Sequence, residues 1–219
     1  FSGTATTGNI TDTGALAITG TTTLVTSADD ATITLNTATN AFAGAMTITT
    51  NDSSGNDADV TIDGGTTVLS INTSTIDGDL ILTTGNATGI ADTGTVTIGG
   101  NLSATTDAND GDIILNQLAV DGTVSLTTNG TGAVTIVNDA GLSFADSTVG
   151  GTIGATATTG DITDSGVLTI TGDAIFITGA TGSNIVLDTS SNAFSNSVEM
   201  RADGGGENFG NITFVDSAG

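Results

Sequence analysis

The chain has 219 residues, 24 carboxylates and one basic side chain, Arg201, for a formal charge of −23. This balance argues against nucleic acid and anionic membrane surfaces as partners, since both are held through Lys and Arg. Cys, His, Lys, Tyr, Trp and Pro are all absent, which removes thiolate sites, disulfides and most of the usual general bases and nucleophiles.

In chain order, apolar residues come as short alternating pairs. The first are Leu16/Ile18, Ile33/Leu35, Met46/Ile48, Val60/Ile62, Leu69/Ile71 and Leu80/Leu82. Val96/Ile98, Ile113/Leu115, Val124/Leu126, Val134/Ile136 and Leu142/Phe144 follow, then Leu168/Ile170, Ile185/Leu187, Val198/Met200 and Ile212/Phe214. Alternation with Thr, Ser or Asp is the strand period, and β-branched residues dominate, so the pattern predicts strands and no helix. Gly, Asn and Asp punctuate the pairs at short, regular intervals, supplying turns of which several need positive φ. No apolar run approaches a membrane span.

The pairs repeat. Thr6 to Gly20 reads TTGNITDTGALAITG, and Thr158 to Gly172 reads TTGDITDSGVLTITG, 152 residues later. At that offset 21 of the 40 positions from Thr4 to Ala43 are identical, without a gap. A weaker copy lies between them, at Thr83-Thr84-Gly85-Asn86, Asp92-Thr93-Gly94 and Val96 to Gly100. The unit is therefore about 75 to 80 residues, a period that signals an array. The reading is one continuous segment over 1–219 with approximate repeats 1–77, 78–152 and an incomplete 153–219. Phe1 aligns with Ile153 inside the repeat, so the window is expected to begin mid-array, with open coils at both ends.

Two architectures suit many short strands at this spacing: tandem immunoglobulin-like β-sandwiches and a parallel β-helix. A sandwich core about 10 Å thick wants several large inward residues per strand. Here each strand offers about two, with no Trp or Tyr, which favours the narrow bore of a β-solenoid with about 20 to 25 residues per coil. The cycle Ser147-Thr148-Val149-Gly150-Gly151, GDITDSGVLTITG, NIVLDTSSNAF and NITFVDSAG resembles the repeats of giant bacterial surface proteins, the filamentous-haemagglutinin-like adhesins and related β-strand-repeat proteins. The resemblance implies a right-handed parallel β-helix, export to the cell surface, and a role as adhesin stalk or filament. The partners it suggests are further copies, end to end or side by side, and surface glycans or other cells.

Few residues offer chemistry. Asp110/Asp112 and Asp57/Asp59 are carboxylate pairs of the kind that hydrolyse glycosides, but no long loop builds a cleft and no aromatic platform would hold a sugar. The expectation is that this is not an enzyme. Calcium is the more serious candidate ligand, since hard cations take carboxylate, Asn and carbonyl oxygens. The candidates are Asp52, Asp57 and Asp59 in one loop, Asp107, Asn109, Asp110 and Asp112 in a second, and Asp203 and Glu207 in a third. None of the three has EF-hand or nonapeptide spacing. Outward Thr-x-Thr pairs such as Thr32/Thr34 become Asn184/Val186 in the last copy, so no flat threonine face is expected from the repeat.

Overall fold

A computed structural model describes residues 1–53, 55, 57–202, 204 and 208–217. Twenty-seven short strands and no helix occur among them. The sequence alternation is the reason. In Leu80–Thr84 (LILTT), Leu80, Leu82 and Thr84 point inward, while Ile81 and Thr83 point out. The same inside-outside alternation marks Thr22–Thr26, Leu102–Thr106 and Ile153–Ala157. Each inward Ile or Leu contributes about 1.5–3 kcal/mol by leaving water.

Every strand pairing is parallel, which excludes the immunoglobulin-like alternative, whose sheets are antiparallel. The chain winds as a β-solenoid. Two large sheets each contain a path of ten stacked strands, the first starting at Ser2–Ala5 and the second at Ile10–Thr11. The bore between them holds one continuous core that runs from Leu24 to Phe194 and Ala202. Phe144, Phe176, Phe194 and Phe214 stack through the upper coils, with successive centroids 6.1, 6.2 and 5.1 Å apart. Phenylalanine thus does the filling that Trp or Tyr would do in a wider core.

The long sequence repeat is a repeat of coils. Thr22–Thr26, Ile33–Leu35 and Ala41–Phe42 fall on Ala174–Thr178, Ile185–Leu187 and Ala193–Phe194. From Ser2–Ala5 to Ile153–Ala157 is seven steps along the first sheet, so a coil averages about 22 residues. Individual steps vary: the step from Val134 to its partner Ile153 is short, and the step from Ile185 to its partner Ile212 is long. Turns of different length absorb the variation while the strands keep their register.

Corners are closed by buried threonines. The hydroxyls of Thr26, Thr106 and Thr178 donate to the carbonyls of Ala31, Gly111 and Ser183, five residues on in each case. The turn that follows takes positive φ at Asp30 (56°) and Asp110 (55°), and at Gly182 (80°) in the last copy, as the turn residues predict. The middle copy departs from this plan. Ile113–Val120 runs on as one strand where the outer copies turn a corner, and its register shifts between Leu115 and Leu118.

Candidate functional site: the acidic corners

The carboxylates concentrate at the turns. Among the described residues only Asp63, Asp92, Asp164 and Glu199 fall in strands. At one corner the residue just before six of the strands of the second sheet hands an oxygen to the next coil. Asp59 Oδ1 accepts from the Asp79 N–H (2.8 Å), Asp79 Oδ1 from the Asn101 N–H (2.6 Å), and Asn101 Oδ1 from the Thr123 N–H (2.8 Å). Asn9 does the same for Thr32, and Asp161 and Asn184 continue the series to Asn211. Strands are too short to use every turn amide in the ladder, so a side-chain acceptor one coil away satisfies it.

A second set sits at the next corner. Asp12 accepts from the Asn40 amide (2.7 Å) and the Thr37 N–H (3.3 Å). Asp164, its counterpart, accepts from the Asn192 amide (2.5 Å) and the N–H groups of Asp188 and Thr189. Partial desolvation pushes the Asp12 carboxyl up, but hydrogen bonds from Asn40, Thr37 and Asn36 outweigh it and hold it below the ordinary range. In the middle copy Asp92 keeps a bond from the Gln117 N–H (2.7 Å), yet its Oδ1 is buried without a partner. The cause is Leu118, which pairs with Val96 where Asn40 and Asn192 stand in the outer copies.

The candidate calcium ligands divide accordingly. Asp59, Asp110 and Asp112 each accept from the coil above, from Asp79, Thr131 and Ala133 respectively. Asn109 donates to the Gly85 carbonyl (2.6 Å), and the Asp107 N–H donates to Thr84. Asp203 and Glu207 lie outside the described residues. Asp52 is drawn into a group the linear reading did not assemble: one oxygen each from Asp29, Asp30 and Asp52 lies within 4.8 Å of the others. Asp29 and Asp30 come from the coil below, where Asp29 also accepts from the Ser53 N–H (2.5 Å) and hydroxyl (2.8 Å). Local desolvation and then the charges of Asp52, Asp29 and Asp57 push the Asp30 carboxyl above the ordinary range. Only the coil-to-coil register places these residues together, and no spacing within either loop encodes it.

A shallow groove of about 580 Å³ crosses another corner. Its floor carries Gly122, Gly141 and Gly160, with Asp121, Asp161 and Ser143 beside them. A Cβ on Gly160 would lie 2.7 Å from the Gly141 backbone, so the glycines here serve close coil stacking.

Fold and corners together define a β-solenoid repeat protein whose turns are tied by carboxylates. Residues 1–49 and 131–201, more than half of the chain, match a family described as repeats of unknown function (DUF5649), and the chain belongs to it. The stretch between the two matches contains the departures at Asp92 and Leu118. No characterised protein and no solved structure matches the chain. Among the described residues no helix is long and apolar enough to cross a membrane.

Proposed function

We propose that this chain is a structural segment of an extracellular bacterial surface filament or adhesin stalk, of the kind its resemblance to filamentous-haemagglutinin-like repeats suggests. One observation carries the reading: parallel stacking continues through ten coils, and side chains bonded to the next coil's amides outnumber those gathered at any pocket. Such a segment transmits length and stiffness. Antibodies raised against it should label intact cells of its source along surface appendages, and cryo-EM should show an axial spacing of about 4.8 Å. Labelling only after permeabilisation would overturn it.

A second reading, a calcium- or glycan-binding adhesin module, draws on the Asp29–Asp30–Asp52 group for calcium and on the corner groove for a glycan. Calorimetric titration separates the two. Saturable sub-millimolar calcium binding that Asp30→Asn abolishes supports the module, and weak unsaturable uptake supports the plain stalk.

A further inference from the structure

The outer side of the first sheet changes character in its upper coils. One outward column there runs Ile114, Thr135, Gly154, Ile175 and Glu199, and the column beside it runs Val137, Thr156, Ile177 and Arg201. Ile114 is 41% exposed and Ile175 38%, while Val137 and Ile177 are half-buried. The corresponding positions in the first copy hold Thr23 and Val25 for the isoleucine pair, and Thr47 and Thr49 for Glu199 and Arg201. One hydroxyl, at Thr23, has thus given way to the apolar Ile175, and two, at Thr47 and Thr49, to Glu199 and to the chain's one basic side chain, which is paired with Glu199 at 2.5 Å. Gly154 leaves an open notch at the centre, since a Cβ there would meet nothing within 4 Å. An apolar patch rimmed by polar groups marks a contact surface.

We propose that this patch is a lateral contact between two copies of this chain, related by a two-fold axis that sets isoleucine against isoleucine and Arg201 of each copy against Glu199 of the other. The proposal rests on the stalk reading, to which it adds the face by which stalks meet. Charge selects the occupant. A basic partner would be drawn to the acidic corners and away from this face, so the occupant must bring a locally balanced, partly apolar patch, which a second copy supplies despite its net charge of −23. The patch itself carries one positive and one negative group, so it complements itself, as a two-fold contact requires. Both copies also share the same rung spacing of about 4.8 Å, which keeps the contact in phase along the axis. Five rungs by one strand length give about 400 Å² per copy, roughly half of a standard interface. A single segment should therefore associate weakly, and tandem copies along a longer chain should bind far more tightly through avidity.

The absence of cysteine makes the test clean. Gly154→Cys places one thiol at the patch centre, where the structure has room for it, and Ser103→Cys places one on the outward side of the second sheet. With a short bis-maleimide crosslinker on the 219-residue chain, Gly154→Cys should give at least a five-fold higher yield of crosslinked dimer than Ser103→Cys, because the two-fold sets Gly154 against Thr156 of the other copy and leaves the two thiols too far apart for a direct disulfide. Adding Ile175→Asp or Arg201→Glu should bring the yield down to the control level. The double swap Glu199→Arg with Arg201→Glu restores self-complementarity and should restore the yield. Thermal melts of each variant verify the fold. Equal yields from the two thiols, or a yield indifferent to Ile175→Asp, would overturn the contact. The stalk reading would stand in that case, because surface labelling and axial spacing test it separately.

Discussion

Asp79 shows what a single carboxylate does in this molecule. Its Oδ1 accepts from both the backbone N–H and the side-chain amide of Asn101, one coil on. Asp79→Ala leaves that turn amide without its acceptor and should cost about 1–2 kcal/mol in urea unfolding, at the lower end for a charged hydrogen bond because the site is half-exposed. Asp121→Ala, at an exposed turn, should change stability by less than about 0.5 kcal/mol. Asp12 and Asp30 predict opposite pH behaviour. The Asp12 carboxyl is lowered in the folded state, so its contribution is present above the unfolded value of about 3.9 and is lost as pH falls through the folded one. The Asp30 carboxyl is raised, so its contribution is full below about 3.9 and is lost as pH rises through the folded value. At neutral pH Asp12→Asn should therefore destabilise and Asp30→Asn stabilise. Urea midpoints measured from acid to neutral pH should show the two differences moving in opposite directions on acidification. Parallel changes would mean that the hydrogen bonds at Asp12 and the desolvation and neighbouring carboxylates at Asp30 do not set these charges.

At the scale of one coil, stability turns on how closely the turns stack. A Cβ on Gly150 would collide with the Gly130 carbonyl, whereas one on Gly154 enters open space. Gly150→Ala should cost about 1–3 kcal/mol by overpacking, and Gly154→Ala should stabilise by about 0.5–1 kcal/mol through loss of backbone freedom in the unfolded chain. The Asp–Asn corner gives a second comparison. Asp164→Ala removes an acceptor that three donors share, including the buried Asn192 amide, whereas Asp92→Ala removes a carboxylate whose Oδ1 already lacks a partner. The Asp164 change should be the more destabilising of the two by about 1 kcal/mol or more. Equal losses would show that Asp92 is satisfied by something the hydrogen-bond pattern does not include.

For the whole molecule the dominant quantity is charge per length. Nine steps of about 4.8 Å make a rod of about 43 Å, so 23 net charges come to roughly one per 2 Å, close to the one per about 1.7 Å of duplex DNA. The carboxylates line the corners, so repulsion acts along the axis between coils that hydrogen bonds hold together. Salt shortens the reach of that repulsion to about 8 Å near physiological strength. The midpoint of thermal unfolding should therefore rise markedly from low-salt chelator to matched NaCl. Calcium should add to this beyond its ionic strength only if Asp29, Asp30 and Asp52 hold an ion, and Asp30→Asn should remove that excess. An unchanged midpoint across all conditions would mean that the corner charges are too far apart to interact.

The strand period, the absence of helix and the solenoid class follow from local features: alternating β-branched pairs, Gly–Asn–Asp turns and a core too thin for a sandwich. Positive φ at Asp30, Asn109 and Asp110 belongs with them, because turn chemistry is written within a few residues. Which side chains face each other was decided by the tertiary structure, and the reason is a mismatch of periods. Alignment compares copies seven coils apart, whereas contacts form between neighbouring coils, whose spacing along the chain drifts as turns lengthen and shorten. So the sequence shows Thr34 giving way to Val186, while the fold stacks Thr83, Thr105, Thr127, Thr148 and Thr169 in an unbroken column. It shows Asp52 in an acidic loop, while the fold carries it to Asp29 and Asp30. Leu118 in place of Asn40, and the isoleucine patch around Gly154, likewise become visible only when coil lies on coil.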